Sequence, residues 1–112
     1  MPITVPECAK VTRFGKVAVI ISPGFGSGWY SWHNIEELLF DPNVVDLIER
    51  GAAFEEITLY CDKTYEHTRE KFWGGTEDLE IVWIPEGSIF RISEYDGSER
   101  LVLQDDDNWL VA

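Results

Sequence analysis

One stretch, residues 17–32 (VAVIISPGFGSGWYSW), constrains the fold of this chain more than any other. It opens with five consecutive apolar residues, four of them β-branched. A short apolar run of this kind predicts a strand that is buried on both faces. Pro23 ends the strand, because proline has no N–H to donate to the ladder. We therefore expect the chain to be organised around this strand and the loop that follows it.

Glycine recurs at every second position of the loop, at Gly24, Gly26 and Gly28. Glycine permits positive φ and close backbone approach, so several N–H groups can point into one concavity. Asn34 and Glu37 have the spacing of a capping box and predict a helix start. A strand, a glycine-rich turn and a helix start together suit the binding of an anion.

The loop matches no standard nucleotide or nucleophile motif. Trp29 stands where a dinucleotide fingerprint needs its last glycine, and no Gly-Lys-Ser/Thr forms a P-loop. Phe25 occupies the first position of what would be a nucleophile elbow around Ser27. We therefore predict a non-enzymatic binding protein with no catalytic residues and no cofactor. The candidate ligand-binding residues are Gly24, Phe25, Gly26, Ser27, Gly28, Trp29, Trp32, His33 and Arg91.

The aromatic rings of the loop have two interpretations. Exposed rings can stack on a base or anchor a protein partner. Alternatively, they fold inward and cap the core, since buried tryptophan is ordinary in small domains. His33 also has two interpretations. It could donate a hydrogen bond to a ligand phosphate, or it could be a solvated residue at a helix start.

The charge of the chain limits its partners. A net charge of −12, from 21 acidic and 9 basic residues, argues against direct binding to nucleic acids or to anionic membranes. It permits a basic partner or imitation of a phosphate backbone, and it also favours simple solubility. At 112 residues and 45% hydrophobic composition, we expect a single globular domain spanning residues 1–112.

No metal site or targeting segment is predicted. Cys8 and Cys61 are far apart and form no CxxC pair, so we expect reduced thiols in a cytosol. His67 does not follow Cys61 at helical spacing, which argues against a shared zinc site. The chain has neither an apolar run of transmembrane length nor a signal-peptide core at its start.

The rest of the chain predicts two helices and then three strands. Asp41 and Pro42 predict the start of a helix that ends near Arg50 and Gly51. Apolar residues at intervals of three and four predict a second helix over residues 53–71. We expect residues 1–16 to form either an irregular arm or a first edge strand around residues 9–14, and a strand over residues 79–84 completes the pattern. The predicted fold class is α+β, a small antiparallel or mixed sheet in the order β-α-α-β-β-β with both helices on one face.

A hairpin is predicted over residues 89–103, with Asp96-Gly97 as its two-residue turn. This turn pairs Phe90 with Leu103 on the apolar face, and we expect the hairpin to lie next to the strand at residues 79–84. The same register sets Glu94 opposite Glu99, an unfavourable like-charge pair that a slightly longer loop would relieve.

Four runs of sequence carry a family resemblance: ISPGFGSGW, LLFDP, GGTEDLEIVWIPEG and FRISEYDG. On these runs, the chain resembles a family of small uncharacterised proteins from tailed bacteriophages. The resemblance implies a phage protein made in the host bacterial cytoplasm. Small accessory phage proteins often counter host defence, some by sequestering nucleotide signals and others as acidic inhibitors of a nuclease.

Two functional hypotheses follow from the loop and the charge. In the first, the loop sequesters a nucleotide-like small molecule, with its N–H groups on phosphates and its rings on the base. In the second, the acidic surface binds a host defence protein such as a nuclease. We also expect a homo-oligomer, because Trp29, Trp32 and the terminal Trp109-Leu110-Val111 add more aromatic surface than a small domain easily covers.

Overall fold

A computed structural model describes residues 10–24, 28–65 and 73–104 of the chain. The described elements match the predicted order roughly, with an additional strand and two additional short helices. They are strands β1 (Thr12–Arg13) and β2 (Lys16–Ile21), helix α1 (Tyr30–His33), a 3₁₀ helix (Glu36–Leu39), helices α2 (Pro42–Glu49) and α3 (Phe54–Thr64), and strands β3 (Glu80–Pro85), β4 (Phe90–Tyr95) and β5 (Ser98–Leu103). The chain is an α+β protein with small antiparallel sheets, as expected.

Strand β2 is the centre of the fold. It pairs antiparallel with β1 on one side and with β3 on the other, in the order β1-β2-β3. Every residue of β2 after Lys16 is buried, so the prediction of a strand covered on both faces is confirmed. Alternate residues of the strand belong to two different hydrophobic clusters, one on each side of the sheet.

The helices cover one face of β2. Ala18 and Ile20 pack in a cluster with Val44 and Val45 of α2 and with Ile57 of α3. Ile81 and Trp83 of β3 and the preceding Leu79 also pack against this cluster. The predicted arrangement, with both helices on one face of the sheet, is therefore confirmed.

Helix α2 begins and ends at the predicted residues. The Asp41 carboxylate accepts hydrogen bonds from Asn43 N (2.9 Å) and Val44 N (3.2 Å), and Pro42 is the first helical residue. Gly51 follows the C-cap with φ of 72°, the left-handed conformation that favours glycine after a helix.

Helix α3 is shorter than predicted. It presents Ile57 and Cys61 to the core, and Tyr65 follows as a non-helical C-cap. The predicted residues 66–71 lie outside the described part of the chain. Phe54, which the apolar spacing places on the buried stripe, is 41% exposed at the start of the helix.

The predicted capping box at Asn34 and Glu37 is wrong. Asn34 has φ of 55° and is the C-cap of α1, whose Tyr30 carbonyl accepts its backbone N–H at 2.7 Å. The following 3₁₀ helix begins after Ile35 without a side-chain cap. Asparagine tolerates the left-handed conformation almost as well as glycine does, so it can end a helix as readily as begin one.

The hairpin has the predicted register but not the predicted neighbour. Strands β4 and β5 pair through the Asp96-Gly97 turn, with Phe90 opposite Leu103 and Glu94 opposite Glu99. They form a separate two-stranded sheet instead of extending the sheet beside β3. The reason is packing, because the apolar face of the hairpin covers the face of β2 opposite α2 and α3, together with Leu39 and Phe40 of the 3₁₀ helix and its C-cap. The hairpin residues in this cluster are Phe90, Ile92, Leu101 and Leu103, and those of β2 are Val17, Val19 and Ile21.

A short turn connects β3 to the hairpin. Ser88 N donates to Pro85 O at 3.1 Å, so Pro85 is the first residue of the turn and Gly87, with φ of 83°, is the third. No helix among the described residues is long and apolar enough to cross a membrane.

Candidate functional site

The predicted loop lies at one end of the sheet, which we call the loop end. It consists of the described residues 22–24 and 28–32, the turn at residues 74–80 and the tip of the hairpin at residues 94–99. These segments meet because Glu99 N donates to Ser22 O at 2.8 Å and Ser98 Oγ donates to Pro23 O at 2.6 Å. The strand end, the loop and the hairpin tip therefore form one continuous surface.

A buried carboxylate fills the concavity of the loop. Glu99 is 2% exposed. Its Oε1 accepts from Ser22 N at 2.9 Å, and its Oε2 accepts from Trp29 N at 3.1 Å and Ser31 N at 2.7 Å. Bonds from several N–H groups to an ionised carboxylate are charge-assisted and strong. The backbone thus forms an anion site of the predicted kind, but the anion that it holds is a side chain of the same protein.

The glycines of this region allow chain segments to approach one another closely. A side chain at Gly24 would collide with the Asp78 carboxylate, and one at Gly28 would collide with Ser31 and the Trp32 indole. Gly75, with φ of 79°, lies against Ser22. Glycine is favoured most strongly at Gly75, where a positive φ and a close approach to Ser22 coincide, whereas at Gly24 and Gly28 a larger residue would require neighbouring side chains to move.

Trp29 is a core residue, and the expectation that its ring stacks on a ligand is wrong. It is 0% exposed, and its indole N–H donates to Leu38 O at 2.9 Å. Its ring makes an edge contact with His33, with centroids 6.4 Å apart, and packs near Trp73 at 6.5 Å. For this residue, the alternative in which the loop aromatics cap the core applies.

His33 joins α1 to the turn that precedes β3. Its Nε2 accepts a hydrogen bond from Gly74 N at 3.1 Å, and its ring lies 4.8 Å from the Trp73 ring. Accepting at Nε2 requires that this nitrogen carry no proton. The described contacts of His33 are thus structural, and they differ from both the solvated histidine and the phosphate donor of the sequence interpretation.

The remaining candidates are dispersed. Trp32 is 55% exposed and lies against Gly28, so its ring is accessible at the loop end. Phe25, Gly26 and Ser27 lie outside the described residues. Arg91 pairs with Val102 in the hairpin, three positions from the pair of Glu94 and Glu99, or about 10 Å along the strands. The structure therefore does not bring Arg91 to the loop.

Acidic side chains surround the loop end. Asp78 touches Gly24, Glu80 pairs with Ile21 at the end of β2, and Asp96 forms the hairpin turn near Pro23. These carboxylates are exposed, as are Glu77 and Glu94. A free anion approaching the loop would meet like charges, whereas a cationic group would be attracted.

A second buried carboxylate, Asp41, serves the fold. In addition to capping α2, it accepts from Tyr60 Oη at 2.9 Å and from Tyr65 Oη at 2.6 Å. Burial raises the pKa of the Tyr65 hydroxyl, and the hydrogen bond to Asp41 raises it further. Burial also raises the pKa of the neighbouring Cys61 thiol to about 12. The tyrosines and the cysteine therefore remain neutral near pH 7, and we assign them no catalytic role.

Metal-binding groups are not assembled in the described part of the chain. No cluster of three or more His, Cys, Asp or Glu side chains there could hold a metal ion. Every buried polar side-chain atom of the described residues has a hydrogen-bond partner.

Glu99 is the residue that sequence reasoning missed, although two signals mark it. It shares the alternation of Leu101 and Leu103 and therefore points to the core side of β5. It also forms the like-charge pair with Glu94. A slightly longer loop, which would relieve this pairing, does not form, and the two-residue turn is kept. The like charges are accommodated because each carboxylate accepts from its own N–H donors, which in the case of Glu94 is Gly97 N at 2.6 Å.

Comparison with known proteins adds no assignment: no protein-family model, curated protein or solved structure matches this chain.

Proposed function

We propose that this chain is a phage-encoded, non-enzymatic binding protein that inhibits a host defence protein by binding a basic surface on it. The observation that supports this proposal best is the buried Glu99 carboxylate, which accepts hydrogen bonds from three backbone N–H groups in the described part of the loop. With the internal anion in place, the loop end presents carboxylates and aromatic rings outward. That surface suits a cationic partner better than an anionic ligand.

Occupation by Glu99 weighs against phosphate binding in the loop. A phosphate would have to displace Glu99, and moving a buried, hydrogen-bonded carboxylate away from its donors costs several kcal/mol. The displaced charge would join the exposed Asp78, Glu80 and Asp96 beside the ligand. Sequestration of a nucleotide-like signalling molecule is therefore the second candidate, favoured only by the anion-binding geometry of the donors and the exposed Trp32.

The loop end has the two elements that basic protein surfaces recognise. Its carboxylates provide electrostatic complementarity to Arg and Lys. Trp32 is 55% exposed and Tyr95 is 79% exposed, and such rings bind guanidinium and ammonium groups through cation–π contacts. The host defence context and the bacterial cytoplasm as the site of action come from the resemblance to phage proteins.

Two charge-reversal variants test the proposal. One reverses Glu77 and Glu80 to Lys at the loop end, and the other reverses Glu55 and Glu56 to Lys on the outer face of α3. All four residues are exposed, so both variants should fold, and both carry the same net charge. The readout is the plaque count of a defence-sensitive phage on defence-carrying bacteria that express each variant.

We expect the loop-end reversal to abolish protection of the phage and the α3 reversal to leave it intact. If both variants lost protection equally, overall charge would explain the effect, and the assignment of the loop end as the binding surface would be overturned. Retention in both would overturn the role of the acidic surface.

Calorimetry tests the second candidate function, sequestration of a nucleotide-like molecule. Cyclic nucleotides and ADP-ribose-type nucleotides are titrated into the wild type and into Trp32→Ala. We expect no heat of binding with either protein. Stoichiometric binding that Trp32→Ala weakens would establish nucleotide sequestration and contradict the protein-binding proposal.

A further inference from the structure

Strand β3 (Glu80–Pro85) is an outer strand of its sheet. It pairs with β2 on one side, and no described strand pairs with it on the other. The hydrogen bonds of β2 show which of its residues face β3. The N–H of Ala18 donates to Val11 O at 2.9 Å on the β1 side, so the neighbouring Val17 and Val19 direct their backbone groups toward β3.

Four backbone groups therefore point outward from the open edge of β3. The residues of β3 opposite Val17 and Val19 bond to β2. The residues between and beside them, Ile81 and Trp83, turn their N–H and C=O groups outward instead. No hydrogen bond between described residues uses these four groups. Pro85 is next in the same outward series, where proline is tolerated because the missing N–H would face solvent. The open edge thus offers two donors and two acceptors to a further strand.

Exposed carboxylates flank the open edge. Two precede β3, one begins it and one follows it: Glu77, Asp78, Glu80 and Glu86. No described residue forms an ion pair or a hydrogen bond with these four side chains. The three-stranded sheet has two cations: Lys16 lies opposite Pro85 at the far end of β3, and Arg13 is bound to Glu49 at 2.6 and 2.7 Å. The carboxylates at the start of the edge are therefore not neutralised by a cation of the sheet.

We propose that β3 binds an extended, basic segment of the partner as an added antiparallel strand. This inference rests on the proposed function, and it names the form in which the basic partner is recognised. In strand addition, main-chain hydrogen bonds supply affinity, and side chains at alternate positions supply specificity. The start of β3 belongs to the loop end, so the acidic surface and the open edge are continuous.

The two faces of β3 predict the side chains of the bound segment. Glu80 shares one face with Val82 and Ile84, and the half-buried Ile81 and Trp83 lie on the other. In an antiparallel pair, directly opposed residues lie on the same face. A segment that alternates Lys or Arg with apolar residues would therefore place its apolar residues opposite Ile81 and Trp83 and its cations on the face of Glu80.

The same carboxylates disfavour a second copy as the added strand. An open edge is in general a template for pairing between copies of one chain. Antiparallel pairing of two β3 strands through Ile81 and Trp83 would lay the start of each strand beside the end of the other. Glu80 of one copy would then approach Glu86 of the second copy at two symmetric positions, on chains of net charge −12. Charge thus selects a basic segment over a second copy at this edge.

Synthetic peptides test the proposal without any substitution in the protein. The probe is a short peptide, acetylated and amidated at its ends, that alternates Lys with Val. One derivative has N-methyl groups on its Val residues, and a matched control has them on its Lys residues. A third peptide alternates Glu with Val. Calorimetry measures the affinity of each peptide for the full chain, and amide hydrogen exchange followed by NMR locates the contact.

In the free protein, we expect the amides of Ile81 and Trp83 to exchange faster than the amide of Val82, which is bonded to β2. The Lys–Val peptide should slow exchange at Ile81 and Trp83 and leave Val82 unchanged. Methylation of Val removes the donors that face β3 and should weaken binding about tenfold, whereas methylation of Lys should leave it nearly unchanged. The Glu–Val peptide should not bind.

Four results would overturn strand addition at this edge. Slow exchange of Ile81 and Trp83 in the free protein would show that the edge is already covered. Failure of the Lys–Val peptide to bind would remove the proposed recognition. Equal affinities of the two methylated peptides would reduce the contact to charge, and equal affinities of the Lys–Val and Glu–Val peptides would exclude a role for the carboxylates.

Two substitutions at one position extend the test to the plaque assay. Ile81→Pro removes an outward N–H without removing a bond to β2, and Ile81→Ala removes the same side chain but keeps the N–H. Circular dichroism and thermal melting establish that each variant is folded. We expect Ile81→Ala to protect the phage and Ile81→Pro to fail, and equal loss in both would assign the effect to packing and contradict the role of the N–H. If Ile81→Pro protects whereas Glu77→Lys with Glu80→Lys does not, strand addition is overturned and the acidic surface remains the proposed site.

Discussion

Glu99 combines two properties that are rarely found together, full burial and a negative charge. A buried charge is tolerated only where hydrogen bonds replace its lost hydration. The donors here are backbone N–H groups of Ser22, Trp29 and Ser31, and the carboxylate in turn fixes the loop against the hairpin. The residue is therefore one of the connections between two sheets that share no ladder.

Replacing Glu99 with Gln should destabilise the protein by about 3 kcal/mol, because the amide is uncharged and its NH₂ group meets backbone donors in place of acceptors. The matched control is Glu94→Gln, directly opposite in the hairpin register but exposed. It should cost less than about 1 kcal/mol. Urea unfolding followed by circular dichroism measures both. Equal losses in the two variants would mean that Glu99 has no special role.

Cys61 should be inert to thiol reagents in the folded protein. Its thiol is fully buried, and burial raises its pKa to about 12, so almost no thiolate forms near pH 8. The test uses a Cys8→Ser background, in which Cys61 is the remaining cysteine. A chromogenic disulfide reagent should react slowly without denaturant and fully in urea. Rapid reaction of the folded protein would show that the core around α3 opens readily.

Sequence alone could not separate Trp29 from Trp32. The two residues are three positions apart in one glycine-rich loop, with no periodic pattern around them. Trp29 is 0% exposed and Trp32 is 55% exposed. The difference arises because the Trp29 indole N–H reaches the Leu38 carbonyl in the core. Burial in an irregular segment depends on contacts that are distant in sequence, which single-sequence patterns do not encode.

At the scale of elements, local rules predicted α2 and the hairpin register accurately. Both depend on residues a few positions apart: Asp41 and Pro42 in the first case, and Asp96 and Gly97 in the second. The placement of the hairpin was wrong because it depends on a different question, namely which face of β2 lacks cover. The helices occupy one face, and the apolar side of the hairpin gains more by covering the other than by extending an edge.

Substitution of Thr58 by Pro tests α3 as an element. Thr58 lies in the middle of Phe54–Thr64, and its Oγ1 donates to Thr76 Oγ1 at 3.1 Å. Proline there removes a backbone hydrogen bond and clashes with the preceding turn, which should cost about 3 kcal/mol or more. Glu55→Pro is the control, because the first turn of a helix accepts proline with a much smaller loss. Similar melting temperatures for the two variants would contradict the helix at residues 54–64.

At the scale of the whole molecule, β2 is covered by α2 and α3 on one face and by the hairpin on the other, and carboxylates gather at its loop end. Apart from Glu99, the described acidic residues of the loop end are exposed. The composition predicted the total charge but not this clustering, because the acidic residues at positions 77–80 and 94–96 come together only when the hairpin folds over β2. The acidic surface proposed for a basic partner is thus a consequence of this topology.

The uneven charge leads to a last prediction, that sodium chloride should raise the melting temperature of this protein. A net charge of −12 on 112 residues destabilises the compact state by self-repulsion, and salt screens that repulsion. Salt also weakens exposed ion pairs, of which Arg13–Glu49 and Arg50–Asp46 are the described examples, but solvent already screens such pairs and they contribute little to stability. Repulsion among the excess carboxylates should therefore dominate. Glu55→Lys with Glu56→Lys, which lowers the net negative charge on an exposed face, should give a smaller rise between low and moderate salt. A melting temperature that falls as salt is added would show that the ion pairs outweigh the repulsion.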